Sequence, residues 1–171
     1  MKHSQKMSTQ RIALCGMLLA VMLVLGWVES LLPAVTAIPG VKLGLSNGVL
    51  IFAVYMLDIP ASVMLMVLKV ALSGMLFGNP STMMYALAGG ALSLLCMVLL
   101  SRCPQLHPVV VSGIGGAMHN VGQVALALLI LRTPSLFYYM GVLVLAGLGC
   151  GILTGICARL VMKHLKGFKS N

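Results

Sequence analysis

Long apolar runs, separated by short polar or proline-containing breaks, organise this chain from end to end. A helix needs about 20 apolar residues to cross a bilayer core of ~30 Å. Placing the breaks first gives six candidate spans, at about 11–32, 43–57, 60–77, 81–100, 108–131 and 135–161. The breaks hold Pro33, Pro39-Gly40 and Lys42, then Asp58-Ile59-Pro60, Gly78-Asn79-Pro80, a stretch at 101–107 with Arg102 and Pro104, and Arg132-Thr133-Pro134. A proline here suits the first turn of the helix that follows. The second span is short for a crossing. The first run is preceded by basic residues, as in a signal peptide. It is long enough to span, however, and ends without a small-x-small cleavage pattern, so it reads as the first span. The pattern predicts an all-α, polytopic membrane protein: a single domain, 1–171, of six transmembrane helices in one bundle.

Composition agrees. Hydrophobic residues make up 60% of the chain and charged residues 8%, against about 25% charged in soluble proteins. The net charge of +9 is not a nucleic-acid signal, because the basic residues gather at the two ends. Lys2, Lys6, Arg11, Arg102, Arg159, Lys163, Lys166 and Lys169 fall on one side of a six-span topology, and Lys42 and Arg132 on the other. The positive-inside rule then predicts both termini inside (N-in/C-in). The five cysteines lack metal or disulfide spacing, and four of them lie in apolar runs, where cysteine behaves as a small hydrophobe. No P-loop, HExxH or GxSxG pattern occurs, nor any carboxylate pair. The expectation is a chain that is not an enzyme and carries no cofactor or metal.

Polar residues inside the runs change the picture. Lys69 sits in mid-span, where a lysine costs roughly 2.5–3.5 kcal/mol on insertion scales. Given the N-in topology, Glu29, Lys42, Ser46, Asn47, Ser73, Asn79, Tyr85, His119, Asn120, Gln123, Tyr138 and Tyr139 all fall toward the outer half. Polar groups in lipid must satisfy one another, so they turn inward. Glu29, Lys42, Asn47, Lys69, His119, Asn120 and Gln123 are the candidate lining of an outer cavity, with the loop at 33–42 as its cover. Asp58 lies at the opposite end. Glu29 is therefore the only carboxylate within reach of Lys42 and Lys69, and one cation is left over, which suits an anionic or carbonyl-rich ligand. Plainer readings stand beside these. His119, Asn120 and Gln123 make an interhelical hydrogen-bond clamp, Glu29 pairs with Lys42 or Lys69, and the two tyrosines belong to an interfacial belt. Proton coupling through Glu29 and His119 stays open.

Small residues recur at helical spacing: Gly147, Gly151 and Gly155 in the last span, Ser112, Gly116 and Asn120 in the fifth, and Ala13, Gly16 and Ala20 in the first. Such rows let helices approach closely in lipid. The plain reading is packing within the bundle. The sharper one is that Ala13, Gly16 and Ala20 dock a separate membrane protein.

Several stretches carry a family resemblance. They are Glu29-Ser30-Leu31-Leu32-Pro33, Ile38-Pro39-Gly40-Val41-Lys42-Leu43-Gly44-Leu45-Ser46-Asn47, Gly74-Met75-Leu76-Phe77-Gly78, Ala88-Gly89-Gly90, His119-Asn120-Val121-Gly122-Gln123, and the last glycine row followed by Ala158-Arg159-Leu160. In order and spacing they resemble the Gx transporter family, also catalogued as heptaprenyl diphosphate synthase component I, which looks like the substrate-binding S components of energy-coupling factor (ECF) importers. The resemblance implies a multi-pass protein of a bacterial-type plasma membrane. Its substrate site would lie near the outer face under the first loop, and its first span would dock a shared transmembrane subunit carried on two ATPases. The cargo would be a small vitamin-like, quinone- or isoprenoid-precursor or flavin-related compound. The alternative is a non-catalytic accessory of polyprenyl diphosphate and menaquinone synthesis or of flavin-linked extracellular electron transfer, partnered by a polyprenyl synthase or a flavoprotein. Prenyl elongation needs aspartate clusters to hold Mg²⁺ on a diphosphate. The chain has a single aspartate, Asp58, so it is not expected to be that catalyst.

Overall fold

The computed structural model describes residues 9–31, 42, 44–134 and 136–168, with side chains as far as 164. Six helices follow in order: α1 (Thr9–Leu31), α2 (Asn47–Met56), α3 (Ile59–Phe77), α4 (Pro80–Ser101), α5 (Pro108–Leu131) and α6 (Leu136–Phe168). All but α2 are long and apolar enough to cross a membrane, and the described residues contain no strand. The chain is an all-helical membrane bundle.

The breaks in the apolar pattern are helix caps. Asp58 accepts the Ala61 N–H at 2.9 Å and starts α3. Asn79 accepts both the Thr82 N–H and its hydroxyl at 2.8 Å and starts α4. His107 accepts the Val109 N–H at 3.3 Å ahead of α5. Each cap is followed by a proline at the first or second helical position, where the missing N–H costs nothing. Arg132 takes a left-handed conformation (φ 50°) and closes α5 through its N–H to Leu128 O.

One expected span is corrected. Among the described residues of the run at 43–57, the helix covers Asn47–Met56, 10 residues, or about 15 Å at 1.5 Å per residue, which is half a bilayer core. Gly44 has φ +84°, a conformation open to glycine and incompatible with a helix running through it. The chain instead turns there, with Asn47 N–H donating to Gly44 O at 2.9 Å. The other boundaries move little, although α6 runs past the expected 161 to Phe168.

Short α2 is buried on most sides, with Leu50, Ile51 and Ala53 fully enclosed. α5 packs most closely of all, against α6 and α4. Glycines of α5 and α6 explain why. A Cβ on Gly116 would lie 2.2 Å from Gly147 O, one on Gly151 2.5 Å from Ser112 O, and one on Gly122 2.8 Å from Ala88 O. The row Gly147, Gly151 and Gly155 is therefore spent inside the bundle. α1 packs against α3 and α2 and lies at the edge. Large apolar side chains such as Trp27, Leu129, Leu145 and Leu153 point outward, as they do in contact with lipid. An Arg11–Asp58 salt bridge joins the start of α1 to the α2–α3 turn. It marks one end of the bundle, where α1, α3 and α5 begin and α2, α4 and α6 finish.

Candidate functional site

At the other end of α1, Glu29 is buried in the last turn, and its carboxylate accepts the Gly44 N–H, with the Leu45 N–H also directed at it. Gln123, from the middle of α5, holds the same non-helical stretch from the opposite side. Its Nε2 donates to Lys42 O and its Oε1 accepts Lys42 N–H, both at 3.0 Å. Non-helical backbone at membrane depth persists only where protein satisfies its polar groups. Glu29 and Gln123 supply that satisfaction, so this irregular entry into α2 forms a strap pinned at two points. A third contact sets the Lys42 ammonium 5.4 Å above the Phe77 ring.

Gly44 is where the helices converge. A Cβ there would meet His119 Cδ2 at 2.7 Å and Asn47 Nδ2 at 3.0 Å. His119 is 1% exposed. On its far side α4 comes close, so that a Cβ on Gly89 would lie 2.8 Å from His119 Nδ1. Lys69, 5% exposed on α3, lies within electrostatic reach of Glu29, Lys42 and His119. Glu29 and Lys69 make no contact ion pair; among the described residues the salt bridge is Arg11–Asp58. Glu29, Asn47 and His119, from α1, α2 and α5, thus meet around one glycine, with Lys42 two residues before it on the strap and Lys69 of α3 buried within electrostatic reach.

Beside Gly44, Ser46 Oγ, Asn47 Nδ2 and His119 Nδ1 have no hydrogen-bond partner; elsewhere in the bundle the same holds for Asn120 Oδ1, Ser93 Oγ and Ser112 Oγ. A buried unsatisfied polar group costs about 1–3 kcal/mol.

The remaining candidates sort by geometry. Asn120 Nδ2 donates to Leu143 O at 2.8 Å, which makes it a clamp between α5 and α6. Gln123 engages the strap through both amide atoms. Asn79 is spent as a cap. Tyr138 is exposed at the start of α6, as the belt reading has it. Ala13, Gly16 and Ala20 lie on the exposed face of α1, and nothing stands within 4 Å of a Cβ placed on Gly16. The expected cover at 33–41 lies outside the described residues. Sequence reasoning missed Gly44 as the hub; a glycine just ahead of Ser46-Asn47 inside an apolar run was the available signal. It also missed the Arg11–Asp58 bridge, whose partners are 47 residues apart. The Ala61 N–H and the Arg11 guanidinium hold the Asp58 carboxyl below its usual value.

Compared with known proteins, residues 18–161 match the family model described as heptaprenyl diphosphate synthase component I. No curated protein and no solved structure matches the chain.

Proposed function

The chain belongs to the heptaprenyl diphosphate synthase component I family, and on that premise we propose that it is the substrate-binding membrane subunit of an ECF-type importer, seated N-in/C-in in a plasma membrane. The observation that carries the reading is the group of partnerless polar atoms on Ser46, Asn47 and His119, enclosed with Lys69 inside an otherwise apolar bundle. Lys69 offers positive charge, and Asn47 and His119 offer directional hydrogen bonds. A small compound with carbonyl or anionic groups, of vitamin-like, quinone-precursor or flavin-related type, satisfies both. Glu29 and Gln123 act through the strap, holding the wall against which the ligand rests. The role is non-catalytic, in keeping with the single aspartate of the chain.

Such a subunit works with partners. The family description speaks of a component, and the exposed small-residue face of α1 suits close helix docking onto a shared transmembrane subunit carried on two ATPases. The same description favours a second reading, in which the chain scaffolds a polyprenyl synthase at the membrane without transporting anything.

Two measurements test this. Mass spectrometry of the gently purified protein is expected to find a retained small molecule, and Lys69→Ala is expected to lose it. Affinity unchanged by that substitution, or a cluster filled by water only, sinks the binding role. Copurification separates the readings: a transmembrane subunit with ATPases supports import, and a polyprenyl synthase without them supports scaffolding.

A further inference from the structure

At the Arg11–Asp58 end, a cavity of about 370 Å³ opens between the finish of α2, the first turn of α5 and the last turns of α6. Tyr55, Met56, Pro108, Arg159, Met162 and Lys163 line it. None of these residues takes part in the cluster around Gly44. We propose that this cavity seats the phosphate head of an anionic amphiphile, with the start of its hydrocarbon chain lying on the methionines.

Charge points to the anion. Arg159 and Lys163 are four residues apart on α6 and share a face, so each raises the need for negative charge beside the other. Among the described residues neither acidic side chain is placed to supply it. The chain has two acidic residues; Asp58 is bridged to Arg11, and Glu29 is bonded to Gly44 at the opposite end. The first turn of α5 adds the positive end of a helix dipole at Pro108. A guanidinium suits the paired oxygens of a phosphate.

The lining points to an amphiphile rather than a free ion. Met56, Met162, Pro108 and the Tyr55 ring present apolar surface, which gives inorganic phosphate nothing and gives an acyl or prenyl chain a bed. Depth agrees. Arg159 lies about 35 Å along α6 from Leu136 at 1.5 Å per residue, one bilayer thickness away, at the level of lipid headgroups. Basic pockets between helices at that level bind phosphorylated headgroups.

The test uses the full chain in phosphatidylcholine nanodiscs, with and without one-fifth phosphatidylglycerol, read by melting temperature. Phosphatidylglycerol is expected to raise the wild-type midpoint by several degrees. The double substitution Arg159→Gln, Lys163→Gln should remove most of that gain, whereas Arg102→Gln, an exposed cation at the same end but outside the cavity, should keep it. No gain in the wild type, or an equal loss in Arg102→Gln, overturns the proposal in favour of general surface charge. Millimolar inorganic phosphate forms a separate arm in lipid-neutral discs. If it reproduces the gain, the amphiphile is overturned and the occupant is a soluble phosphate; if it does not, the lipid assignment stands.

Discussion

Gln123 hydrogen-bonds the backbone of Lys42 in both directions, donating to its carbonyl and accepting from its N–H at 3.0 Å each. A side-chain amide here does what a neighbouring strand would do elsewhere, and it does so for a stretch with no helix of its own. Gln123→Leu strips both bonds. The expected cost is about 1–3 kcal/mol, seen as a lower melting temperature and as faster amide exchange confined to 42–46. Gln123→Glu keeps the acceptor and should fall between the two. Unchanged exchange in Gln123→Leu would show that Glu29 holds the strap without help.

Lys69 separates ligand binding from folding. Lys69→Met removes a buried charge from an apolar helix while keeping its length, so the folded protein should be at least as stable as the wild type. Binding of the retained small molecule should weaken by at least tenfold, or about 1.4 kcal/mol. Isothermal titration beside thermal melting reads both. A variant that melts much lower would make Lys69 a structural residue.

The glycines of α6 should divide sharply. Gly151→Ala places a Cβ 2.5 Å from the Ser112 carbonyl, a backbone contact that yields only if α5 and α6 part, at a cost of about 1–3 kcal/mol. Gly149→Ala meets nothing within 4 Å and should gain about 0.5–1 kcal/mol from helix propensity. Unfolding in mixed detergent ranks the two; equal behaviour contradicts the packing.

Acid should loosen the Arg11–Asp58 end first. The Asp58 carboxyl titrates below its usual value in the folded protein, so its stabilisation is complete above the unfolded value of about 3.9 and is lost as pH falls through the lower folded one. Wild-type melting temperature should drop over that range. Asp58→Asn, which has no such charge to lose, should start lower and drop less. Parallel curves for the two proteins would assign the acid sensitivity elsewhere.

Gly16 tests the partner face. Gly16→Leu has open space to occupy and should leave melting unchanged, yet it should abolish copurification of a membrane partner if that partner packs on Ala13, Gly16 and Ala20. Retained copurification would move the docking surface away from α1.

Most of the architecture was legible because it is local. Asp58, Asn79 and the prolines after them stop and start helices wherever they stand, and the apolar runs between them set the lengths. The second span was legible as short, but not as the half-length α2, since that further shortening comes from Gly44 (φ +84°), whose N–H is held by Glu29 from α1. The partner of Glu29 was missed for a related reason. Matching charges against charges left Lys42 or Lys69 as its mate, whereas the carboxylate accepts a backbone N–H that no count of side chains reveals. His119 was recognised as polar and buried, but its place against Gly44 needed the fold. The α6 glycine row was visible as a row, and only packing shows that it is filled by α5.

The short second helix carries one more consequence. Where a longer helix would satisfy its own backbone, Lys42 and Gly44 offer peptide groups to Gln123 and Glu29, and substitution cannot change an amide into something else. Asn47, His119 and Lys69 can be exchanged one at a time while that main-chain frame stays in place. A half-length helix therefore gives the bundle a fixed grammar with a replaceable vocabulary, a scaffold on which new specificities can evolve without the fold being rebuilt.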